Sequence, residues 1–248
     1  MLKPERHEFI MRQINLHNRV LCSDLVNMMS VSEDTIRRDL LELSKIGMLY
    51  KVHGGAISKS YYSSFDYDNV YARDSKIAIA KKANFLIKDG MVVITGGGST
   101  ILELAKQLPR NLKATFYTIS PQVAIELAKY EYLEIVILGG AFSKNSQIAY
   151  GGHVIEQLAD IKADLLLMGT SAIDANEGLT DSDWEINKIK KSLISTARKT
   201  AVLCISEKLN TVNKLRVSYL NNINYIITEL NPDDKMIEPY KSKNTYVI

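Results

Sequence analysis

Residues 31–55 read VSEDTIRRDLLELSKIGMLYKVHGG, and this stretch decides the architecture of the N-terminal part of the chain. Ile36, Leu40 and Leu43 follow helical spacing and give one core-facing stripe. Ser32 is placed to cap that helix by accepting from a free backbone N–H. Met29-Ser30-Val31 reads as the turn before it. Leu25 and Met28 supply the apolar face of a shorter preceding helix, and Ile10 and Ile14 that of a first one. Gly47 stands where a left-handed helix end is wanted. Met48 to Val52 is strand-like, and Gly54-Gly55 can turn it. The expected unit is a helix-turn-helix followed by a β-wing, the form of a DNA reader.

At about 100° per residue, Arg38 faces directly away from the Ile36 stripe, Lys45 lies near the same line, and Arg37 sits on the flank. The arginine fork matches the O6 and N7 acceptors of guanine. Thr35 lies near the start of the helix, where a recognition helix reaches base edges. Lys51 and His53 fall on the wing. The expected DNA-binding set is Ser32, Thr35, Arg37, Arg38, Lys45, Lys51 and His53. A plainer reading stands beside it: Asp34, four residues before Arg38, can form a surface ion pair worth a few tenths of a kcal/mol, on the order of 0.3. Glu33 and Asp34 also repel phosphate. Leu41 falls on the exposed side, where a thymine methyl or the wing would suit it.

Arg6, Ile10, Leu21, Leu25, Val31-Ser32, Thr35-Ile36-Arg37-Arg38-Asp39-Leu40, Leu43, Gly47, Leu49 and His53-Gly54-Gly55-Ala56 together resemble the signature of the DeoR family of bacterial transcription regulators. The resemblance implies an N-terminal winged helix-turn-helix and a C-terminal effector-sensing domain. Members are mostly repressors of sugar and nucleoside catabolism, with phosphorylated sugars as the usual inducers. The implied partners are a double-stranded DNA operator and a phosphorylated sugar or similar anionic small molecule. A single reader contacts only a few base pairs, so a homo-oligomer, dimer or tetramer, is expected, with most of its interface in the C-terminal half.

Composition is compatible with this. The chain has 248 residues, 46% hydrophobic, with a net charge of only +3. Residues 1–60 hold nine Lys/Arg against seven Asp/Glu, so attraction to DNA must come from arrangement rather than bulk charge. Cys22 and Cys204 show no ligand spacing; no metal and no cofactor is expected, and one disulfide is left open. The N-terminus MLKPERHEFI does not read as a signal peptide. No run reaches the ~18–20 apolar residues of a membrane span, and the chain reads as cytoplasmic.

The expected division is a reader at 1–58, a Tyr-rich linker at 59–75 and an α/β effector-binding and oligomerisation domain at 76–248. From Lys76 on, helical patterns (77–87, 100–108, 122–129, 154–161, 183–199) alternate with strand patterns (91–95, 116–119, 135–138, 164–168, 202–205, 225–228). Alternation of this kind implies a mainly parallel sheet covered on both faces. The family resemblance, looser in this half, suggests a sugar-phosphate isomerase-like α/β fold.

In such folds ligands bind at the carboxyl ends of strands. Gly96-Gly97-Gly98-Ser99-Thr100 falls there. It fits an anion cradle of free N–H groups at a helix start, or a tight turn with a capping Ser; the resemblance favours binding by Gly97, Gly98, Ser99 and Thr100. Asp174 can accept from sugar hydroxyls or start a turn. Glu185 is expected on the inward side of the helix at 183–199, pointing into a polar site with Lys188 beside it, or else simply paired with Lys188. Gly139-Gly140 reads as a plain turn.

The chain departs from the family pattern at Gly96, where Asp is common, at Ile119, where Asn is common, and at Ile205, where Asp often precedes the lysine matching Lys208. Lys51 stands where Arg is common. GTSAIDANEG at 169–178 lacks the paired acids of an isomerase site, and Glu177 reads as a loop residue. A regulator is therefore expected, not an enzyme. Two alternatives are a sugar-phosphate isomerase-like enzyme with an appended DNA domain, and a constitutive DNA-binding protein whose C-terminal half only oligomerises.

Overall fold

The computed structural model describes residues 1–248 except Asn18, 59–69, Asn145 and 242–243, along with the side chain of Leu16. It divides into two compact units, Met1–Tyr71 and Ala72–Ile248. Most of the expected linker, residues 59–69, lies outside the described residues.

The first unit runs α1 (Lys3–His17), β1 (Arg19–Leu21), α2 (Cys22–Met29), α3 (Glu33–Lys45), β2 (Leu49–Val52) and β3 (Gly55–Ser58). Its core is the expected stripe: Ile10 and Ile14 of α1, Leu25 of α2, and Ile36, Leu40 and Leu43 of α3 are all buried. Met29, not Met28, completes the α2 face; Met28 is 58% exposed. Both lie on the Leu25 side by helical spacing, and spacing alone does not choose between them.

Ser30 closes α2 in the left-handed conformation, its N–H donating to the Val26 carbonyl. Ser32 then caps α3. At the other end Gly47 has φ +75°, and the Met48 N–H reaches back to the Leu43 carbonyl at 2.8 Å. This overlapping bond satisfies a carbonyl the helix end would leave open. The strands pair antiparallel in the order β1-β3-β2. Gly55 is dictated by close approach: a Cβ there would lie 2.0 Å from the Val20 carbonyl oxygen of the paired strand.

The second unit opens with α4 (Arg73–Asn84), which starts inside the stretch expected to be linker. There follow β4 (Val92–Thr95), α5 (Ser99–Lys106), β5 (Ala114–Thr118), α6 (Pro121–Leu127), β6 (Leu133–Ile137), β7 (Ala141–Ser143), β8 (Ile148–Tyr150), α7 (Gly152–Ala159) and β9 (Ala163–Gly169). The remainder is β10 (Ala172–Asp174), β11 (Gly178–Asp181), α8 (Trp184–Thr196), β12 (Ala197–Leu203), β13 (Leu215–Ser218), β14 (Tyr225–Ile227) and β15 (Tyr246–Val247), with short 3-10 turns between.

Among the described residues seven strands form one parallel sheet in the order β15-β14-β12-β9-β4-β5-β6. Its central strands read as continuous apolar runs, such as Leu165-Leu166-Leu167-Met168, because both faces are buried. β7 and β8 form a hairpin, and β10, β11 and β13 a small antiparallel sheet.

Two expectations fail here. The helix expected to reach Lys199 ends at Thr196, and Ala197 already pairs with Ala163 of β9. The Ala-Arg-Lys start of that strand has good helix formers, and tertiary pairing overrides their preference. The β10-β11-β13 sheet was not expected, because its three- and four-residue strands are too short to show a period. Cys22 and Cys204 are both free and buried, each in its own unit, so the disulfide is ruled out.

Candidate functional site

The candidate reader face is α3. The Ser32 hydroxyl accepts from the Thr35 N–H at 3.3 Å and lies 2.8 Å from the Thr35 hydroxyl. Both residues therefore shape the helix start before any ligand arrives. Arg37 and Arg38 stand out from the surface, 65% and 76% exposed. Each folds back onto an acid one turn earlier, Arg37 onto Glu33 at 2.7 Å and Arg38 onto Asp34 at 2.6 Å. The plainer ion-pair reading is thus what the structure holds, and it does not compete with base reading. Exposed i,i+4 pairs are worth ~0.3–0.5 kcal/mol, whereas an arginine fork on guanine is worth ~1–3 kcal/mol. Lys45, Lys51 and His53 are exposed, as is Leu41.

Behind this face the helix is anchored by a charge network. Asp39, 3% exposed, accepts from Arg6 Nε at 2.7 Å and Nη2 at 3.1 Å, and lies 3.1 Å from His7 Nε2. Burial pushes the Asp39 carboxyl up, but its bonds to Arg6 and His7 outweigh that and hold it below the usual carboxylate range. The network fixes α3 against α1, so the exposed arginines project from a rigid base.

In the second unit the carboxyl ends of β4, β9 and β12 meet. The turn after β4 runs through Gly96 and Gly97 to Gly98, which has φ +99° and begins α5 with no side-chain cap. The N–H groups at this helix start are left for an acceptor. Gly97 packs closely: a Cβ would lie 2.3 Å from Ile148 Cγ2, and its carbonyl oxygen is 3.8 Å from where a Gly169 Cβ would stand. Thr95, which ends β4 just before this turn, is 1% exposed and its hydroxyl has no partner among the described residues. Ser120, also 1% exposed, borders the same turn.

Cations gather beside it. Lys208 donates from Nζ to the Thr170 carbonyl at 2.8 Å, one residue past the Gly169 that borders Gly97. Burial pushes its ammonium down. Lys76, on the first turn of α4, is 8% exposed; burial, with repulsion from Lys208 next, pushes it down to about 8. Lys190 of α8 pairs with Asp181 at 2.6 Å, and the Ser171 hydroxyl donates to the same carboxylate at 2.8 Å. Burial raises the Asp181 carboxyl, but Lys190 more than reverses this and leaves it below its usual range.

The structure does not place the other expected effector residues this way. Asp174 spends its carboxylate on a turn, accepting from the N–H groups of Asn176 at 2.8 Å and Glu177 at 3.0 Å. Glu185 does not face inward: its side chain is 43% exposed and pairs at 3.0 Å with Lys188, itself 46% exposed. The polar residues that α8 turns inward are Asn187, 3% exposed, and Lys190. Glu185 lies about 40° from the Ile189 line by helical spacing, and that offset was enough to put it on the rim. Ile119 and Ile205, the apolar departures from the family pattern, are buried just past the ends of β5 and β12.

Residues 6–61 match the DeoR-like helix-turn-helix domain and residues 72–230 the DeoR C terminal sensor domain. The chain belongs to the DeoR family. It is 30% identical to the HTH-type transcriptional regulator GolR of Listeria innocua, over 91% of this chain and 90% of that one. It is equally 30% identical to the HTH-type transcriptional repressor GlcR of Bacillus subtilis, over 94% and 91%. It is 28% identical to the L-fucose operon activator of Escherichia coli, over 92% and 96%. These DeoR relatives are transcription regulators, not enzymes, which is the class expected for this chain.

Of the residues gathered at these strand ends in this DeoR chain, Lys76, Lys190, Asp181 and Ser171 carried no signal in the sequence. A lysine in an amphipathic helix reads as surface, and Lys76 and Lys190 carry no mark that says otherwise. Lys208 was noticed only through the family pattern. Asp181 ends a strand too short to be recognised.

Proposed function

We propose that the protein is a repressor of carbohydrate or nucleoside metabolism genes, released from its operator by a phosphorylated small molecule. The observation that carries this reading is the uncapped start of α5 at Gly98, beside the half-buried Lys208 and three residues after Thr95, whose buried hydroxyl has no partner among the described residues. An oxyanion there would accept from the backbone N–H groups of the turn and from Ser99 and Thr100, and would offset the charge of the half-buried Lys208 ammonium. Relatives named as a repressor and as a sugar operon activator support the gene class. In this reading Gly97, Gly98, Ser99 and Thr100 hold the phosphate and Lys208 and Lys190 supply charge. Asp174, Glu185 and Lys188 are left out, because Asp174 closes its own turn and Glu185 and Lys188 pair with each other on an exposed face.

Operator binding is assigned to α3 and the wing: Arg38 on a guanine edge, Arg37, Lys45, Lys51 and His53 on backbone phosphate, and Ser32 and Thr35 at the helix start. The working form is a cytoplasmic homo-oligomer, which places two readers on two half-sites. A thermal-shift series on the full chain tests the effector class. Ribose 5-phosphate, glucose 6-phosphate and their free sugars are compared at equal concentration. At 100 times its dissociation constant a ligand adds ~2.7 kcal/mol of stability. At least one phosphate ester should raise the melting temperature while its free sugar does not. Equal shifts for ester and sugar, or none across a wider set of phosphate esters, would overturn the effector class. Footprinting upstream of the protein's own gene then supplies the operator.

A further inference from the structure

The geometry points to β6 as the strand through which two copies of this chain join, edge to edge, into one continuous sheet. The inference rests on the homo-oligomer reading above and names its surface. β6 is a terminal strand of the seven-stranded sheet. Edge strands of stable monomers are normally blunted by charge, bulges or a covering element. β6 lacks that protection: its residues are Leu133, Glu134, Ile135, Val136 and Ile137, with one charge among them. Val136 and Ile137 are 40% and 49% exposed. Successive strand residues point to opposite faces, so both faces of the strand end are open. Phe142, 47% exposed, follows close in sequence, and Ile125 of the adjoining α6 is 68% exposed. The opposite edge of the sheet, β15, is only two residues long, and its Tyr246 stacks on Tyr225.

The backbone selects a second copy rather than an unrelated partner. Within the parallel pair, Thr118 of β5 is in register with Ile137, and the Leu138 N–H donates to the Thr118 carbonyl. In a parallel ladder the N–H and C=O of one residue point the same way, and the direction alternates along the strand. Glu134, Val136 and Leu138 therefore turn their peptide groups to β5. Leu133, Ile135 and Ile137 turn theirs outward, and among the described residues these groups have no partner.

An antiparallel partner bonds at alternate residues, two bonds per facing pair. A two-fold axis at Ile135 puts Ile135 against its own copy and Leu133 against Ile137 of the second copy. Those are the outward-facing residues on both sides, so every open N–H and C=O on this edge finds an acceptor or donor in one step. The same pairing packs Leu133, Ile135 and Ile137 against their like on one face. On the other it sets Glu134 beside Val136, never beside another Glu134. The edge is self-complementary, as a two-fold interface requires.

The test uses the full chain. Light scattering at micromolar concentration gives the mass of the wild type, of V136K/I137K, and of F85K as a control on an exposed residue outside this edge. Separately, I135C and F85C are treated with a short bis-maleimide; the native Cys22 and Cys204 are buried. The inference predicts a wild-type mass that is a multiple of 27.9 kDa, halved in V136K/I137K and unchanged in F85K. It also predicts covalent dimer from I135C and none from F85C. The cross-link keeps the test decisive if the lysine variant misfolds. A wild type that is oligomeric, with I135C giving no covalent dimer, overturns the β6 edge and leaves the oligomer reading standing. A wild-type mass of one chain overturns both.

Discussion

The two units of this protein carry their chemistry in opposite ways. The reader puts it on exposed side chains along one helix, held by local ion pairs and a rigid base. On the reading proposed above, the sensor unit puts it on backbone N–H groups and on buried or half-buried lysines, brought together from strand ends more than a hundred residues apart. A local helix keeps its function when neighbours change by small amounts. A site assembled from β4, β9 and β12 depends on the whole sheet. The reader should therefore stay folded when its face is changed and unfold when its base is altered, whereas the sensor site should be lost by changes to the sheet as well as to the site itself.

The sharpest test of the reader's base is Gly55→Ala. A Cβ 2.0 Å from the Val20 carbonyl oxygen cannot be relieved by a side-chain rotation. The β1–β3 pairing must open, at a cost of about 3 kcal/mol or more, the upper end for overpacking. Calorimetry should show the reader's transition fall while the sensor's stays in place. Equal movement of both transitions would contradict the division drawn here.

Asp39→Asn comes next. It leaves Arg6 facing a neutral amide and should cost about 3 kcal/mol, the low end for breaking a buried pair. The carboxyl is held below its unfolded value of ~3.9. Its contribution is thus fully present above that pH and is lost as pH falls through the depressed folded value. Urea midpoints from pH 7 down to pH 3 should drop more steeply for the wild type than for the variant. Parallel slopes would mean that Asp39 is not the group responsible.

Arg38→Ala should change stability by no more than ~0.5 kcal/mol and weaken operator binding by ~1–3 kcal/mol, with little change on scrambled DNA. Equal loss on both DNAs would move Arg38 from base reading to phosphate contact.

How much was legible follows the same contrast. The α3 stripe, the Ser32 cap and the Gly47 ending are local rules, and residues 31–55 carried them openly. The parallel sheet was legible because buried strands such as Leu165–Met168 are unbroken apolar runs. Glu185 and Lys190 show where reading stopped. Both lie off the apolar line of α8, yet one reaches solvent and the other a buried carboxylate. The difference is made by Asp181, whose position depends on strand pairing and not on the helix. Met28 and Met29 pose the same problem on a smaller scale.

Glu185→Gln is accordingly the smallest expected effect. Removing an exposed pair with Lys188 should change stability and effector response by no more than ~0.5 kcal/mol. A loss of tenfold or more in effector affinity, measured by calorimetric titration, would return Glu185 to the site.

The most direct test of the account is operator affinity, with and without the best phosphate ester, in the wild type and in Lys208→Met. A switch of ordinary strength couples the two sites by ~1–3 kcal/mol, or about 5–150-fold. The account predicts a change of at least fivefold in the wild type and none in Lys208→Met, with equal affinities in the absence of the ester. A wild type indifferent to every anion, or a variant that responds as the wild type does, would contradict it.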